Sequence, residues 1–101
     1  MEPRSLTPDL QLAREIVFRH FAAQQARVIL FGSRARGDAR RWSDIDLAIA
    51  PKVALPEDSF AALREALAES NMLLNVDLVD LRDASPALCA AVAHEGVPWI
   101  D

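Results

Sequence analysis

The sequence predicts a small α/β domain of the α+β type, a mixed β-sheet with helices packed against it. Helical and strand-like apolar patterns alternate along the chain, and no internal repeat or low-complexity linker divides it. Its 101 residues, 51% of them hydrophobic, suffice for one core and leave little surplus for a second. We therefore expect a single domain over residues 1–101, with 1–6 as a loose N-terminal tail.

The first half of the chain is expected to form a helix, a strand and a short helical turn. Thr7-Pro8 is a capping residue followed by proline at the first helical position, and apolar residues at helical spacing extend the helix over about 8–24. Residues 26–31 form a short apolar run rich in β-branched side chains, which predicts a buried strand. Residues 33–38 then predict a helical turn that ends near Gly37.

The second half continues the alternation of strands and helices. The expected elements are a strand over 44–50 stopped by Pro51, a helix over about 56–71 with acids in its first turn, and a strand over 75–81. A last helix is expected from the Ser85-Pro86 cap to about residue 95 with Gly96 as its C′ residue, followed by a short edge strand over 97–100.

Charge and composition exclude several classes of protein. The net charge of −4 and the pI near 5.1 disfavour a general nucleic-acid binder. Arginines crowd into residues 34–41, where they form either a solvated loop or phosphate contacts. Cys89 is the only cysteine, so an intrachain disulfide and a zinc-ligand set are not expected. With neither a signal-peptide pattern nor a long apolar stretch, we expect a cytoplasmic protein without membrane contact.

Asp44 and Asp46 place two carboxylates two residues apart in an apolar strand. Side chains at i and i+2 share one face of a strand, so the two anions stand side by side and repel each other. A divalent cation such as Mg²⁺ or Mn²⁺ removes that conflict. The alternative is structural, with Asp44 at the strand end and Asp46 near the sheet edge.

Gly32-Ser33 lies between the first strand and the short helical turn. Glycine lets the backbone approach a ligand closely, and Ser33 can offer its hydroxyl and N–H to an anion. The alternative is an ordinary turn with Ser33 as the N-cap.

A third strand acid could join the pair. Asp77 and Asp80 have opposite parity, so only one can share a face with Asp44 and Asp46. We favour Asp77, because Asp80 lies nearer the strand end, although parity alone leaves the choice open. Such an acid could bind a metal and accept a proton from an attacking hydroxyl.

These features combine into a pattern that resembles a known family. Gly32-Ser33, ten intervening residues and then Asp44-Ile45-Asp46 match the GS-x10-DxD signature of the DNA polymerase β-like nucleotidyltransferase superfamily. Two segments resemble the minimal nucleotidyltransferase (MNT) branch: Phe-Gly-Ser-Arg-Ala-Arg-Gly-Asp over 31–38 and Ser-Asp-Ile-Asp-Leu over 43–47. The resemblance covers about 10–100 and implies the polymerase β-like fold.

The resemblance also implies roles for individual residues. Gly32 and Ser33 would hold the terminal phosphates of ATP, and Asp44 and Asp46 would hold two Mg²⁺ ions. Asp77 would help to bind the catalytic metal and activate the acceptor hydroxyl, which attacks the α-phosphate. Arg34 and Arg36 would add positive charge near the phosphates.

The short chain implies that the acceptor comes from a partner. Proteins of the MNT branch are typically encoded beside a HEPN-domain RNase toxin and neutralise it by attaching AMP to a tyrosine, so the resemblance implies a protein adenylyltransferase antitoxin. Two alternatives stay open: a non-catalytic antitoxin that acts by binding, and transfer of a nucleotide to a small molecule or an RNA end.

Overall fold

The computed structural model describes residues 8–22 and 24–99 of the chain. They form four helices and four strands in alternating order, and the four strands make one mixed sheet with the order β3-β2-β1-β4. β1 is antiparallel to both β2 and β4, and β2 is parallel to β3. The elements are α1 (Pro8–His20), β1 (Ala26–Phe31), α2 (Ser33–Arg36), β2 (Ile45–Pro51), α3 (Ser59–Ala68), β3 (Val76–Asp80), α4 (Pro86–Glu95) and β4 (Val97–Trp99).

The predicted α+β class and the order of elements are confirmed, whereas three helix boundaries were placed too wide. α1 ends at His20 rather than near residue 24, and the amide of Ala22 instead donates to the side chain of Gln25 in a turn. α3 begins at Ser59 rather than near residue 56, because the carbonyl of Pro56 accepts from the Ser59 amide in a turn that precedes the helix. α3 also ends at Ala68 rather than near residue 71. The acids expected in the first turn of α3 therefore lie before the helix.

Four strand boundaries, both ends of β2 and both ends of β3, lie one residue from their expected positions. Asp44 precedes β2, and Pro51 is the last residue of β2, where it pairs with Ala26 of β1 rather than stopping the strand. β3 is one residue shorter than expected at each end. The predicted tail over 1–6, the Thr7 cap and Ile100 lie outside the described residues.

The α4 start is confirmed, but Gly96 has a different role from the one expected. The Ser85 hydroxyl caps the helix by accepting from the Leu88 amide at 3.1 Å. Gly96 is extended, with φ −70° and ψ 149°, rather than left-handed. A side chain there would overlap Ile29 and the carbonyl of Val92, so glycine allows the end of α4 to approach β1.

The two faces of the sheet are covered unequally. One face packs against α1 and α3 and carries the main core, which includes Leu47 and Ile49 of β2. The other face has a smaller cluster in which Val92 of α4 packs with Ile29, Phe31 and Ala48. Since Asp46 and Ala48 are two residues apart in β2, the Asp46 side chain lies on the α4 face. Within the described residues, no helix is both long enough and apolar enough to cross a membrane.

Candidate active site

The sheet brings three of the predicted acids to one place. Asp46 of β2 pairs with Asp77 of β3 in parallel register, so the two side chains share the α4 face of the sheet. Asp44 lies just before β2 and interacts electrostatically with Asp46. Asp80 pairs with Ile49, whose side chain belongs to the opposite face. The structure therefore groups Asp77 with the Asp44/Asp46 pair and separates Asp80 from it.

Asp80 has its own partner on that opposite face. Its carboxylate binds the Arg82 guanidinium at 2.7 Å. The hydrogen bond from Arg82 holds the pKa of Asp80 below its ordinary value. Asp80 is therefore a charged carboxylate that forms a structural ion pair with Arg82.

The environment of Asp46 disfavours its charged form. Burial raises its pKa above the ordinary value of 3.8, and the negative charges of Asp77 and Asp44 raise it further. Arg36 acts in the opposite direction, and Glu95 adds to the rise. The charged form of Asp46 is thus disfavoured by burial and by repulsion from the neighbouring carboxylates. A bound cation would remove that repulsion.

The acids do not form a preorganised coordination shell by themselves. Among residues 8–22 and 24–99, no three acidic, histidine or cysteine side chains converge closely enough to hold a metal ion as they stand. Asp44 and Asp77 are exposed, and Asp46 is half-buried between them. Carboxylates that repel each other are expected to splay apart, so the donor set fits a hard cation in its chemistry, while closure around the ion would accompany binding.

Gly32 holds the turn that runs beside Asp46. Its φ of 76° and ψ of −156° lie in a region open essentially to glycine alone. A side chain at this position would overlap the Asp46 carboxylate. Gly32 is also the N-cap of α2 and Ser33 is its first residue, so the alternative of Ser33 as the N-cap is wrong.

Arg34 supports the loop that leads to Asp44. Its guanidinium donates to the carbonyl of Ser43 at 2.9 Å and 3.2 Å, and to the carbonyls of Arg40 and Arg41 at 3.5 Å and 3.4 Å. The hydroxyl of Ser43 accepts from the Arg40 amide, which tightens the same loop. The structure therefore places the guanidinium of Arg34 on loop carbonyls.

We expect Arg34→Ala to lower the free energy of unfolding by about 1–3 kcal/mol, because partly buried carbonyls lose a charged donor. Arg40→Ala is the matched control from the same loop. Its backbone makes the loop contacts, so its loss should stay within about 0.5 kcal/mol. Urea unfolding of both variants measures the difference, and equal losses would contradict the supporting role of Arg34.

Arg36 lies on the site side of α2 and connects two acids. It pairs with Asp38 at 3.3 Å and with Glu95 at 3.2 Å, and about half of its side chain is exposed. Hydrogen bonding to Asp38, followed by its charge, raises the pKa of the Arg36 guanidinium. Of the two arginines predicted near the phosphates, Arg36 is the one that interacts electrostatically with Asp46.

Glu95 was missed by the sequence reasoning. Its Oε2 accepts the amide hydrogen of Gly32 at 2.9 Å, across 63 residues of sequence. The only signal in the sequence was an acid at the C-terminal end of a helix, where a basic side chain is the favourable choice.

Comparisons with known proteins identify a matching family and several relatives of this chain. The family described as polymerase beta, nucleotidyltransferase matches residues 17–100. The protein adenylyltransferase MntA of Shewanella oneidensis is 42% identical over 69 residues, which are 68% of this chain and 49% of that protein. This chain therefore spans about half the length of that curated relative.

Two solved structures show the same fold. A crystal structure of a toxin–antitoxin with AMP-PNP matches with a TM-score of 0.66 and 34% identity, over 87% of this chain and 73% of that one. A structure of the tri-AMPylated Shewanella oneidensis HEPN toxin in complex with MNT antitoxin matches with a TM-score of 0.60 and 30% identity, over 90% and 72%.

Proposed function

Since this chain belongs to the polymerase β nucleotidyltransferase family, we propose that it transfers AMP from ATP to a tyrosine hydroxyl of a HEPN-type toxin and so acts as an antitoxin. The observation that carries the proposal is the grouping of Asp44, Asp46 and Asp77 beside the Gly32 turn. The relative named a protein adenylyltransferase and the two toxin–antitoxin structures support the choice of AMP and of a protein acceptor.

Each group would have a defined task. Asp44, Asp46 and Asp77 would hold two divalent cations, which would neutralise charge on the phosphates. Gly32 and Ser33 would lie along the terminal phosphates. Asp77 would accept the proton of the tyrosine hydroxyl, whose oxygen forms the new bond to the α-phosphorus as the bond to pyrophosphate breaks. This assignment moves Arg34 from the phosphates to the support of the loop and keeps Arg36 as the nearby cation.

The strand β3 offers a matched pair of variants to test this proposal. Asp77→Asn removes a carboxylate on the site face, and Asp80→Asn removes one from the same strand on the opposite face. Each variant would be co-expressed with the HEPN-type partner, and intact-mass spectrometry would count the AMP groups on the partner. We expect the mass gain with the wild-type chain and with Asp80→Asn, and its loss with Asp77→Asn.

Two results would contradict the proposal. If the Asp77→Asn and Asp80→Asn variants add equal numbers of AMP groups to the partner, the acid cluster takes no part in the transfer. Neutralisation of the toxin without any mass gain would identify a non-catalytic antitoxin, and an Asp44→Asn, Asp46→Asn double variant that neutralises at equal dose would confirm that alternative.

A further inference from the structure

The edge strand β4 brings the end of α4 to the glycine turn. Val97 of β4 pairs with Leu30 of β1 in antiparallel register. Two residues further along this register, Glu95 stands opposite Gly32. Gly96, between Glu95 and Val97, has no side chain that would overlap Ile29, so the chain can stay close to β1 at this point. The sheet topology therefore places Glu95 beside the site.

Glu95 binds both the backbone and a side chain of the site. Its Oε2 accepts from the Gly32 amide at 2.9 Å and from Arg36 Nη1 at 3.2 Å. Its side chain is 25% exposed, and hydrogen bonds to a charged acceptor are stronger there than in open solvent. One carboxylate thus connects α4 to both ends of the short helix α2.

This position is unfavourable for a carboxylate in two respects. Glu95 is the last residue of α4, where the helix dipole favours a cation. Its charge also adds to the negative charge around Asp46 and helps to raise the pKa of that carboxyl. Helix stability alone would favour a lysine or arginine here, so the hydrogen bonds that Glu95 accepts from Gly32 and Arg36 offset an electrostatic cost.

We propose that Glu95 is a positioning residue that fixes the Gly32 turn and Arg36 relative to Asp46, and so sets the affinity of the site for a nucleoside triphosphate. Gly32 is the residue whose backbone lies against the Asp46 carboxylate, so an untethered turn would move the phosphate contacts and an acid together. The inference rests on the proposed function only in taking a nucleotide as the ligand.

Two substitutions separate the contact of Glu95 with Gly32 from its contact with Arg36. Glu95→Ala removes both, whereas Glu95→Gln keeps an oxygen acceptor for the Gly32 amide and loses the ion pair with Arg36. Asp38→Asn is the matched control, since Asp38 is the other partner of Arg36 and is largely exposed. The measurements on the full chain are hydrogen exchange of the Gly32 amide without nucleotide, the Kd for Mg²⁺–AMP-PNP, and the melting temperature of each variant.

We expect Glu95→Ala to speed exchange of the Gly32 amide and to weaken AMP-PNP binding, each by roughly tenfold, since a charge-assisted hydrogen bond is lost. Glu95→Gln should restore much of the amide protection and part of the affinity. Asp38→Asn should change both quantities by less than about twofold. In the transfer reaction, the KM for ATP should rise in Glu95→Ala more than kcat falls.

Other outcomes would overturn the inference. Unchanged or tighter AMP-PNP binding by a folded Glu95→Ala variant would show that the carboxylate is neutral or competes with phosphate. If Glu95→Ala leaves the exchange rate of the Gly32 amide unchanged, Glu95 does not hold the Gly32 turn in place. If the wild-type chain does not bind AMP-PNP, Glu95 has no role in nucleotide affinity. If the wild-type chain binds AMP-PNP but transfers no AMP, the proposed function fails. The Kd values of the wild type and the variants for Mg²⁺–AMP-PNP then decide the role of Glu95 by themselves.

Discussion

Asp46→Asn is expected to abolish AMP transfer and, at the same time, to stabilise the metal-free protein at neutral pH. Asp46 is central in the acid cluster, since it pairs with Asp77 and interacts with Asp44. Loss of a metal-binding carboxylate removes charge stabilisation of the transferring phosphate, so kcat should fall by at least about a hundredfold. Transfer to the partner, followed by intact-mass spectrometry over time, measures this loss.

The gain in stability follows from the direction of the pKa shift. The folded chain holds the pKa of Asp46 above the ordinary 3.8, so it binds this proton more tightly than the unfolded chain does. The wild-type protein therefore loses stability as the pH rises from about 3.8 through the raised folded pKa, and above it the penalty is complete. Asparagine carries no charge, so the advantage of the variant should be full at neutral pH and vanish below pH 3.8.

Melting temperatures in a chelating buffer between pH 4 and 7 would test this expectation. Mg²⁺ should raise the melting temperature of the wild-type chain and leave that of Asp46→Asn nearly unchanged, because a ligand stabilises only the state that binds it. A variant less stable than the wild type at pH 7 without metal would show that the acids are not in electrostatic conflict.

Gly32→Ala is expected to cause a large loss of stability, because both the backbone conformation and the space at this position exclude a side chain. The φ of 76° and ψ of −156° are strained for an L residue by about 1–3 kcal/mol, and the new Cβ would overlap the Asp46 carboxylate. Together these effects should lower the free energy of unfolding by about 2–4 kcal/mol and the melting temperature by roughly 10 °C.

Gly37→Ala provides the matched control for Gly32. Gly37 also has a positive φ, of 87°, but a Cβ there would meet nothing within 4 Å. Its cost should therefore be the conformational term alone, about 1–2 kcal/mol, with AMP transfer retained. Equal losses in the two variants would mean that contact with Asp46 contributes nothing, and that backbone strain alone explains the need for glycine.

Much of this site could be predicted from local sequence. The i, i+2 spacing predicted that Asp44 and Asp46 lie close together, and they interact although Asp44 lies just before β2 rather than in it. Glycine between a strand and a helix indicates a backbone conformation that other residues avoid. The element order was predicted because hydrophobic periodicity is local. Helix ends were less accurate, since the turns at Gln25 and Pro56 depend on particular hydrogen bonds rather than on periodicity.

Contacts between elements distant in sequence were decided only by the tertiary structure. The alternation of side chains along β3 did not decide whether Asp77 or Asp80 faces the Asp44/Asp46 pair. The parallel register of β2 and β3 placed Asp77 beside Asp46. The antiparallel register of β4 and β1 placed Glu95 opposite Gly32. The sequence by itself determined which residues could carry phosphate-transfer chemistry, because motif spacing is a property of the chain. The structure determined which acid completes the cluster and which carboxylate supports the turn, because strand register depends on the packing of the whole sheet.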